Sequence, residues 1–369
     1  MDQTGSSSAL APQQSAALGL IYDWYGQPNK PVFHLDGLGG TGKTHLVVGL
    51  GSDCGDVQYA ALTGKAASVL HQRGADNACT LHSLLYGAPV GTDQRNRPIW
   101  RLREGRPDAG LIVADECSMI DQRLGRDLIK LQIKLLVTGD SFQLPPVNGT
   151  AFFNRPDFQL TEIHRQARNS QPLELATSIR DGRRLRTEPF DMEVVLFADI
   201  VIVAFEKTRR DINRRIRRAY GLADPDPVVG DRVCCYRNNS ESGVLNGTLW
   251  TIQEIRSRSE RSDDDLLELE LVDDIGNVAV VWTSDRYFYG AAPRQAPNDG
   301  LDVFSYGYAL TCHKSQGSEW DRVAVIDETG SRTFEMIAGD LPVDEFRRRW
   351  MYTAVTRAKK VVTVMEPPS

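Results

Sequence analysis

Short apolar runs recur along the chain, each followed by a polar or glycine-rich segment and a stretch with helical spacing. Apolar runs of about 4–8 residues bounded in this way are typical of buried parallel strands. We predict such strands at residues 31–35, 57–62, 111–114, 135–138, 198–204, 323–326 and 361–365. A helix is predicted near Gln14, because Ala17, Leu18, Ile21 and Trp24 recur at helical spacing. The sequence therefore predicts an α/β protein.

Two segments interrupt this alternation. Glycine and proline punctuate residues 86–107, and a small hairpin is predicted within them at residues 90–102. Between Val228 and about Trp282 the pattern becomes all-β. Short strands are predicted there at residues 230–233, 249–252, 266–272 and 278–282, with an exposed acidic loop at 259–265. We interpret the two segments as an insertion in a first α/β domain and a small barrel inserted in a second.

Composition narrows the class of protein. A chain of 369 residues is long enough for about two to three domains. With 41% hydrophobic and 25% charged residues, it is ordinary for a globular protein. No apolar run approaches the ~18 residues that a membrane span needs, and the first residues do not resemble a signal peptide. The six cysteines form no C-x-x-C pair, so we expect reduced thiols and no structural zinc.

Residues 37–44 read Gly-Leu-Gly-Gly-Thr-Gly-Lys-Thr and lie between an apolar run and a helical stretch. This spacing is the phosphate-loop pattern G-x-x-x-x-G-K-T. The glycines that let backbone N–H groups approach phosphate oxygens are Gly37, Gly39, Gly40 and Gly42. Lys43 would reach the β- and γ-phosphates, and the Thr44 hydroxyl would bind Mg²⁺. A glycine-rich turn without a ligand is the alternative, and the flanking strand and helix argue against it.

Acidic residues follow another predicted strand. Asp115 and Glu116 come directly after the apolar residues 111–114. In α/β sheets this end of a parallel strand lies beside the phosphate loop. Asp115 would hold Mg²⁺ directly or through water, and Glu116 would orient and polarise the attacking water. A solvated strand end is the alternative. Gln143, after the next predicted strand, could touch the γ-phosphate.

Charge is unevenly distributed. The net charge of −6 does not indicate a nucleic-acid-binding protein. Residues 205–219, however, contain seven basic side chains, whereas acidic residues dominate 256–274. The basic run is either a solvated helix face or a nucleic-acid contact. The aromatic residues considered for stacking on bases are Tyr86, Trp100, Tyr306 and Tyr308, with burial in the core as the alternative.

Taken together, the ordered motifs resemble those of superfamily 1 DNA helicases of the RecD-like and Dda-like branch, which move 5′→3′ along single-stranded DNA. The matching segments are Gln14 with its helix and residues 37–44, 63–67, 80–82, 115–119, 139–140, 143–146, 164–166, 246–247, 311–319 and 352–359. The segments His-Lys-Ser-Gln-Gly and Tyr-Thr-Ala-x-Thr-Arg-Ala are the most specific. The match covers nearly the whole chain in the family order.

The resemblance implies roles for individual residues. Gln14 resembles the adenine-reading glutamine and Gln143 the γ-phosphate sensor, while Arg165 and Arg357 resemble arginine fingers of the second lobe. Residues that resemble contacts to ATP and Mg²⁺ are Gly37, Gly39, Gly40, Thr41, Gly42, Lys43, Thr44, Asp115, Glu116, Gly317 and Glu319. Residues that resemble contacts to the single strand are Thr63, Lys65, His82, Thr311, His313 and Ser315.

The resemblance also implies an architecture. We expect two RecA-like P-loop NTPase lobes, with a hairpin insertion in the first and an SH3-like β-barrel in the second. The expected bounds are a disordered N-terminus at 1–12, a first lobe at 13–156 with a strand-separating pin at 86–107, a second lobe at 157–228 plus 300–369, and the barrel at 229–299. Leu62 departs from the family, which usually has proline there, and the pin is short. We expect no long N-terminal partner-binding domain.

We therefore expect a compact, self-sufficient ATP-dependent DNA helicase of phage or mobile-element type. Single-stranded DNA and duplex junctions are the expected substrates, ATP and Mg²⁺ the cofactors, and a single-strand-binding protein or a replication or recombination protein the candidate partner. We expect a monomer in the cytoplasm of a bacterial or phage-infected cell. Two alternatives stay open at this point. One is an RNA-directed helicase of the same superfamily, and the other is a nucleic-acid-binding loader or scaffold with residual ATPase activity.

Overall fold

The chain folds around two parallel sheets and one antiparallel sheet. The computed structural model describes residues 10–52, 54–87, 90–91, 99–146, 149–162, 170–183, 185–222, 225–239, 241–259, 265–289, 300–339 and 341–368. In these residues no helix is long and apolar enough to cross a membrane.

The first lobe is a six-stranded parallel sheet with helices on both faces. Its elements are α1 (Pro12–Tyr25), β1 (Val32–Gly37), α2 (Lys43–Val48), β2 (Val57–Ala61), α3 (Gly64–Gln72), β3 (Cys79–Thr80), α4 (Leu81–Leu85), β4 (Leu111–Asp115), α5 (Gln122–Lys130), β5 (Lys134–Gly139) and β6 (Phe158–Leu160). The strand order is β3-β2-β4-β5-β1-β6. Helices α1, α2 and α3 cover one face of the sheet, and α4 and α5 cover the other. The central strands are therefore buried on both sides, which explains their unbroken apolar runs.

The second lobe is a four-stranded parallel sheet, again covered on both faces. Its elements before the insertion are α6 (Gln171–Arg180), α7 (Met192–Phe197), β7 (Ile200–Val203) and α8 (Glu206–Ala219). The insertion consists of β8 (Arg232–Cys235), β9 (Leu249–Ser259), β10 (Leu266–Asp273), β11 (Val278–Ser284), α9 (Arg286–Tyr289) and β12 (Phe304–Tyr306). The lobe then continues with β13 (Ala309–Thr311), α10 (Cys312–Ser315), β14 (Trp320–Ile326), α11 (Arg332–Met336), α12 (Val343–Val355) and β15 (Ala358–Met365). Its strand order is β13-β7-β14-β15.

The inserted strands form an antiparallel sheet in the order β11-β10-β9-β8-β12. Alternating side chains of β10 are buried, among them Leu267, Leu269 and Leu271, so one face of the sheet carries a small core of its own. The prediction of an all-β insertion is confirmed by this sheet.

Three expected boundaries are wrong. Helix α1 begins at Pro12, inside the segment expected to be disordered. Strand β6 pairs in parallel with β1 of the first sheet, so the first lobe extends beyond residue 156. Strand β12 pairs with β8, so the antiparallel insertion extends beyond residue 299. Both errors in the lobe boundaries have one cause: these three-residue strands are too short to show a pattern, and only pairing assigns them to a sheet.

The hairpin predicted in the first lobe is present in the described residues. Tyr86 and Leu102 form an antiparallel bridge, and the backbone N–H of Val90 donates to the carbonyl of Ile99 at 2.9 Å. The predicted tip, residues 93–97, lies outside the described residues. The described pairing extends the hairpin from the end of α4, so its foot is anchored in the first lobe.

The basic run forms α8, and its two faces differ. Arg217 is completely buried and pairs with Asp231, with Nε 2.9 Å from Oδ1. Arg209 is also buried, and its guanidinium donates to the carbonyl of Tyr306 at 3.1 Å. The exposed basic residues of the helix are Lys207, Arg210, Arg214 and Arg218. The basic run is therefore neither only a solvated helix face nor only a nucleic-acid contact. Its buried residues Arg209 and Arg217 hold the insertion against the second lobe.

Candidate nucleotide and nucleic-acid site

The phosphate loop joins β1 to α2, as the sequence predicts. Gly40 and Gly42 have φ values of 79° and 80°, a region that favours glycine. A Cβ on Gly37 would lie 2.9 Å from Thr41 Oγ1, so this position also excludes a side chain. Lys43 Nζ donates to the carbonyls of Gly37 at 2.5 Å and Leu38 at 3.0 Å. The lysine ammonium therefore lies across the loop whose geometry suits a phosphate.

Asp115 lies beside the loop, at the end of β4. Its Oδ2 accepts a hydrogen bond from Thr44 Oγ1 at 3.2 Å, and its Oδ1 accepts one from Thr138 Oγ1 at 2.5 Å. A hydroxyl and a carboxylate oxygen at this distance are the oxygen ligands that Mg²⁺ prefers, since Mg²⁺ uses few protein ligands and keeps several waters. The donor set thus fits the expected ion. Thr138 on β5 orients the carboxylate, and the sequence analysis did not identify this residue.

Glu116 has an unusual backbone conformation. Its φ is 57°, in the left-handed region that non-glycine residues rarely occupy, and its N–H donates to Asp115 Oδ1 at 2.9 Å. Its side chain is densely surrounded by protein at the bottom of a cleft but still in reach of solvent. Burial, together with the neighbouring charge of Asp115, raises the pKa of Glu116 to about 7, although Arg357 and Lys43 oppose this shift. Backbone strain and a raised carboxyl pKa are typical of a functional position.

Residues of both lobes line this cleft, which encloses about 500 Å³. The second lobe contributes Arg357, only 4% exposed, whose Nη1 donates to the Ser318 carbonyl at 3.2 Å. The predicted residues that line the cleft are Gly39, Gly40, Gly42, Lys43, Thr44, Asp115, Glu116, Gln143, Gly317, Glu319 and Arg357. The structure therefore brings most of the predicted nucleotide contacts together in one place.

A buried hydrogen-bond network joins the lobes beside the phosphate loop. Tyr352 of α12 donates from its hydroxyl to Asp140 Oδ2 at 2.7 Å, and Gly39 N–H donates to the same oxygen at 3.1 Å. Nearby, the Leu144 N–H donates to Thr353 Oγ1 at 2.9 Å. Burial raises the pKa of Asp140, and the carboxyl is held by these donors and by the Phe142 N–H. A helix of the second lobe is thereby connected to the phosphate loop through one carboxyl group.

Two glutamines predicted to contact the nucleotide differ in their surroundings. Gln143 is buried at the cleft, and its Oε1 has no hydrogen-bond partner within the described residues. This oxygen is an acceptor and suits a donor such as the attacking water, whereas a γ-phosphate contact would need the amide NH2 group and stays a prediction. Gln14 is buried too, but its amide donates to the Thr41 carbonyl at 3.0 Å and accepts from the Ala11 N–H at 3.0 Å. In this conformation Gln14 braces the phosphate loop, and an adenine contact stays a prediction. Arg165 lies outside the described residues.

A second cavity of about 260 Å³ also lies between the lobes. The first lobe contributes Pro145, Pro146 and Thr150, and the second contributes Thr311 and His313. Thr311 Oγ1 is buried and has no hydrogen-bond partner among the described residues. An unpartnered hydroxyl in a groove between lobes is a candidate contact for a ligand. Two of the six predicted single-strand contacts therefore lie in this groove.

The other predicted single-strand contacts lie elsewhere. Lys65 lines the nucleotide cleft, and Thr63 caps α3 by accepting a hydrogen bond from the Ala66 N–H at 3.1 Å. His82 packs at the foot of the hairpin. Ser315 has 0% exposure, and its hydroxyl donates to the Cys312 carbonyl at 2.7 Å. In this conformation the Ser315 side chain is not exposed, and its contact with the single strand stays a prediction.

The four aromatic residues considered for stacking on bases are buried or half-buried. Tyr86 and Tyr306 are buried, and their hydroxyls donate to Asp127 and to the Pro225 carbonyl, respectively. Tyr308 is half-buried against Tyr220. Trp100 is half-buried at the hairpin foot and lines an open cavity. Of the four candidates, Trp100 is thus the one that keeps access to a ligand.

The network around Tyr352 was missed at the sequence level, although a signal for it exists. Arg349, Tyr352, Thr353 and Thr356 recur at helical spacing at the end of α12. The residues between them, Trp350, Met351, Ala354 and Val355, are apolar. Arg349 donates to the Ser141 carbonyl at 2.8 Å, and Thr356 lies 3.9 Å from the position of a Cβ on Gly39. A polar stripe on a core helix indicates that it faces another polar surface, here the segment after β5.

Two parallel α/β lobes that share one phosphate-binding cleft define a P-loop NTPase with a RecA-like core. The AAA domain family matches residues 9–192, and the UvrD-like helicase C-terminal domain family matches residues 306–365. Across both lobes the chain is therefore similar to RecD-like superfamily 1 helicases.

Curated relatives are consistent with this assignment. The ATP-dependent RecD2 DNA helicase of Deinococcus radiodurans is 26% identical over 88% of this chain and 45% of its own length. The ATP-dependent DNA helicase Dda of Enterobacteria phage T4 is 31% identical over 40% of this chain and 38% of its own length. The RecD subunit of the RecBCD enzyme of Mycolicibacterium smegmatis is 28% identical over 90% of this chain and 67% of its own length. The chain spans less than half the length of the first two.

Solved structures share the fold. The Bacteroides Pif1 helicase in complex with ADP-AlF3 and single-stranded DNA has a TM-score of 0.59 and 20% identity, covering 98% of this chain and 93% of that chain. The Candida albicans Pif1 helicase has a TM-score of 0.59 and 18% identity, and the match covers 97% of this chain and 94% of that chain.

Proposed function

We propose that this protein is an ATP-dependent DNA helicase that translocates 5′→3′ on single-stranded DNA and unwinds duplex DNA. The observation that carries the proposal is the shared cleft, in which Lys43, Asp115 and Glu116 of one lobe face Arg357 of the other. A site divided between lobes lets hydrolysis change how the lobes sit relative to one another. DNA as the substrate is supported by the names of the relatives, and the direction rests on the resemblance to the RecD-like and Dda-like branch.

Each residue at the cleft has a role in this proposal. Lys43 and the loop N–H groups bind the β- and γ-phosphates, and Gln143 contacts the γ-phosphate. Thr44 and Asp115 would hold Mg²⁺, which neutralises phosphate charge when bound. Glu116 accepts a proton from the attacking water, and a pKa near 7 suits this task. Arg357 presents a fixed positive charge to the transferring phosphoryl group.

The inter-lobe network would couple the nucleotide to DNA. Asp140 Oδ2 receives hydrogen bonds from both Gly39 of the phosphate loop and Tyr352 of α12. A phosphate that engages the Gly39 N–H competes with Asp140 for that donor and thereby alters the link to the second lobe. Thr311 and His313 of the same lobe line the groove where the single strand would lie. Because linkage is reciprocal, DNA bound in the groove must change nucleotide affinity.

Replacing Tyr352 by Phe tests this coupling. The variant loses one hydrogen bond to a carboxylate, a loss of about 1.5–3 kcal/mol, and 1.4 kcal/mol corresponds to a factor of about ten. We expect DNA-stimulated turnover to fall by roughly tenfold or more, with basal turnover less affected. Steady-state ATPase with and without single-stranded DNA measures both rates. Tyr220→Phe, at an exposed tyrosine, is the matched control. An unchanged ratio of stimulated to basal turnover would contradict the coupling role.

The hairpin of residues 86–102 is proposed to be the strand-separating pin. Replacing residues 88–98 by a short linker removes the pairing between Val90 and Ile99 and leaves the anchored foot in place. We expect single-strand-stimulated ATPase to survive and most of the unwinding rate to be lost. A fluorescent forked duplex reports unwinding under the same conditions. If the shortened protein unwinds as fast as the original, the pin lies elsewhere. The inserted antiparallel sheet would correspond in position to the SH3-like barrel that the resemblance implies.

One experiment tests the function as a whole. Steady-state ATP hydrolysis is measured alone, with a single-stranded DNA oligomer and with an RNA oligomer of matched sequence. Strong stimulation by DNA alone supports the proposal, and a strand-displacement assay with 5′ and 3′ overhangs then gives the direction. Equal stimulation by RNA favours the RNA-directed alternative. A protein that binds DNA but hydrolyses no ATP with either oligomer would instead be a binding protein or loader.

A further inference from the structure

The outer face of α5 lies beside the foot of the hairpin and is strongly basic. Arg123, Arg126 and Lys130 recur at positions i, i+3 and i+7, so they share one face of the helix, and all three are exposed. Together with Trp100 they line an open cavity of about 360 Å³. We call these four residues the hairpin-foot surface. Neither the phosphate loop nor the groove between the lobes includes any of them.

This surface is held rigidly against the hairpin. Tyr86, at the first pair of the hairpin, is buried and donates from its hydroxyl to Asp127 Oδ2 of α5 at 2.7 Å. The Tyr86 and Trp100 rings lie 6.1 Å apart, and His82 packs against both at 5.6 and 5.8 Å. These contacts pack α5 directly against the hairpin foot, so a ligand of the α5 cations would lie beside the hairpin.

The charge of this surface favours an anionic ligand. Asp127 is the one carboxylate among the described residues lining the cavity, and it is engaged by Tyr86 and by Lys130, whose Nζ lies 2.8 Å away. The nearby Asp121 caps α5 by accepting a hydrogen bond from the Leu124 N–H at 2.8 Å. In the described part of the chain neither Arg123 nor Arg126 has an ion pair, and Arg123 lies 6.0 Å from the Tyr86 ring. Three cations thus face one engaged carboxylate, and two of them are exposed guanidinium groups suited to phosphate.

We propose that the hairpin-foot surface binds backbone phosphates of the double-stranded DNA arm that the hairpin meets. This inference rests on the proposed helicase function and names a further contact within it. From Arg123 to Lys130 the helix rises about 10 Å, which is enough to reach more than one phosphate of a strand. Sites for single strands present successive aromatic rings for stacking, whereas here Tyr86 is buried and Trp100 is the accessible ring. Three cations beside a single accessible ring fit sequence-independent backbone contacts to a duplex better than a series of stacked bases.

The test compares the salt dependence of binding to two DNAs. The double variant Arg123→Gln with Arg126→Gln loses two phosphate contacts. For a fork with a duplex arm, we expect the slope of log affinity against log salt to become shallower by about 1.8, since each contact to duplex DNA contributes about 0.9. Binding of a single strand of the same length, and ATPase stimulated by it, should stay at the level of the unchanged protein. Fluorescence anisotropy over a salt series gives the slopes.

Two further variants exclude indirect effects. Arg332→Gln with Arg348→Gln removes the same charge from exposed positions of the second lobe and should leave both slopes unchanged. Arg123→Lys with Arg126→Lys keeps the charge and should restore the slope for the fork. All positions are exposed helix positions, so thermal unfolding should change little.

The outcomes separate this inference from the proposed function. If the double variant has the same salt slope for the fork as the unchanged protein, the inference is wrong. That result is expected if the surface binds a protein or is only solvated. A loss of about 1.4 in the slope for the single strand, with the duplex contribution unchanged, also overturns the inference, because the surface then contacts single-stranded DNA. The binding slopes need no hydrolysis. A protein without DNA-stimulated ATPase would therefore contradict the proposed function and still give a clear answer here.

Discussion

The Lys43→Ala variant should lose ATP hydrolysis while keeping its fold. Lys43 Nζ lies 2.5 Å from the Gly37 carbonyl, at the centre of a loop whose glycines exclude or disfavour side chains. In the transition state its charge would stabilise the phosphoryl oxygens, and removal of one such donor typically costs roughly 10²–10³ in turnover. We expect a loss of at least that size, because Lys43 carries a full charge. Steady-state ATPase at saturating nucleotide and single-stranded DNA measures it.

The fold should survive because both hydrogen bonds of Lys43 lie within the loop. They go to the carbonyls of Gly37 and Leu38, and the side chains of both partners are unchanged in the variant. Thermal unfolding by circular dichroism should therefore shift little. Lys360→Ala is the matched control, because Lys360 is exposed and pairs with Asp321 on the surface of the second lobe. If Lys43→Ala turned over ATP at a rate close to that of Lys360→Ala, the cleft would not be the hydrolytic site.

The first-lobe half of the cleft could be predicted from sequence because it is local. Residues 37–44 and the pair Asp115–Glu116 each lie next to a buried strand, and parallel strands bring their carboxyl ends to one edge of the sheet. Motif and strand together therefore fix the approximate position of Lys43, Thr44 and Asp115. The strained φ of Glu116 could not be predicted, since it depends on how the chain leaves β4 towards the turn of residues 117–119.

The partners of the contacts between lobes could not be predicted, because the polar spacing at the end of α12 marks only one side of each contact. Tyr352 and Asp140 are 212 residues apart, and their hydrogen bond depends on how α12 meets the segment after β5. Lys65 and Ser315 illustrate the same limit. Each belongs to a motif of the family, but the helix that carries it turns the first towards the nucleotide cleft and buries the second completely. A motif gives the residue type and spacing, and packing decides which surface the side chain reaches.

The Arg357→Ala variant should bind nucleotide and fail to hydrolyse it. Arg357 lies in the second lobe, opposite the phosphate loop, and is held by the carbonyls of Thr353 and Ser318 at 3.1 and 3.2 Å. An arginine that reaches a phosphoryl group from the opposite side of a shared cleft typically contributes roughly 10³–10⁵ in turnover. Most ground-state contacts would come from the phosphate loop, so the Kd for ATP should change far less than kcat. Fluorescent-nucleotide titration and steady-state ATPase separate the two effects.

Two companion variants make this result specific to the guanidinium group. Arg357→Lys keeps the charge but lacks the planar fork that holds both Ser318 and a phosphoryl oxygen, so we expect it to recover only part of the lost turnover. Arg348→Ala, at an exposed position of the same lobe, should behave as the unchanged protein. Because Arg357 is buried, thermal unfolding of each variant must be measured alongside. A stable Arg357→Ala variant with weakened nucleotide binding and unchanged kcat would show that Arg357 binds the ground state and takes no part in hydrolysis.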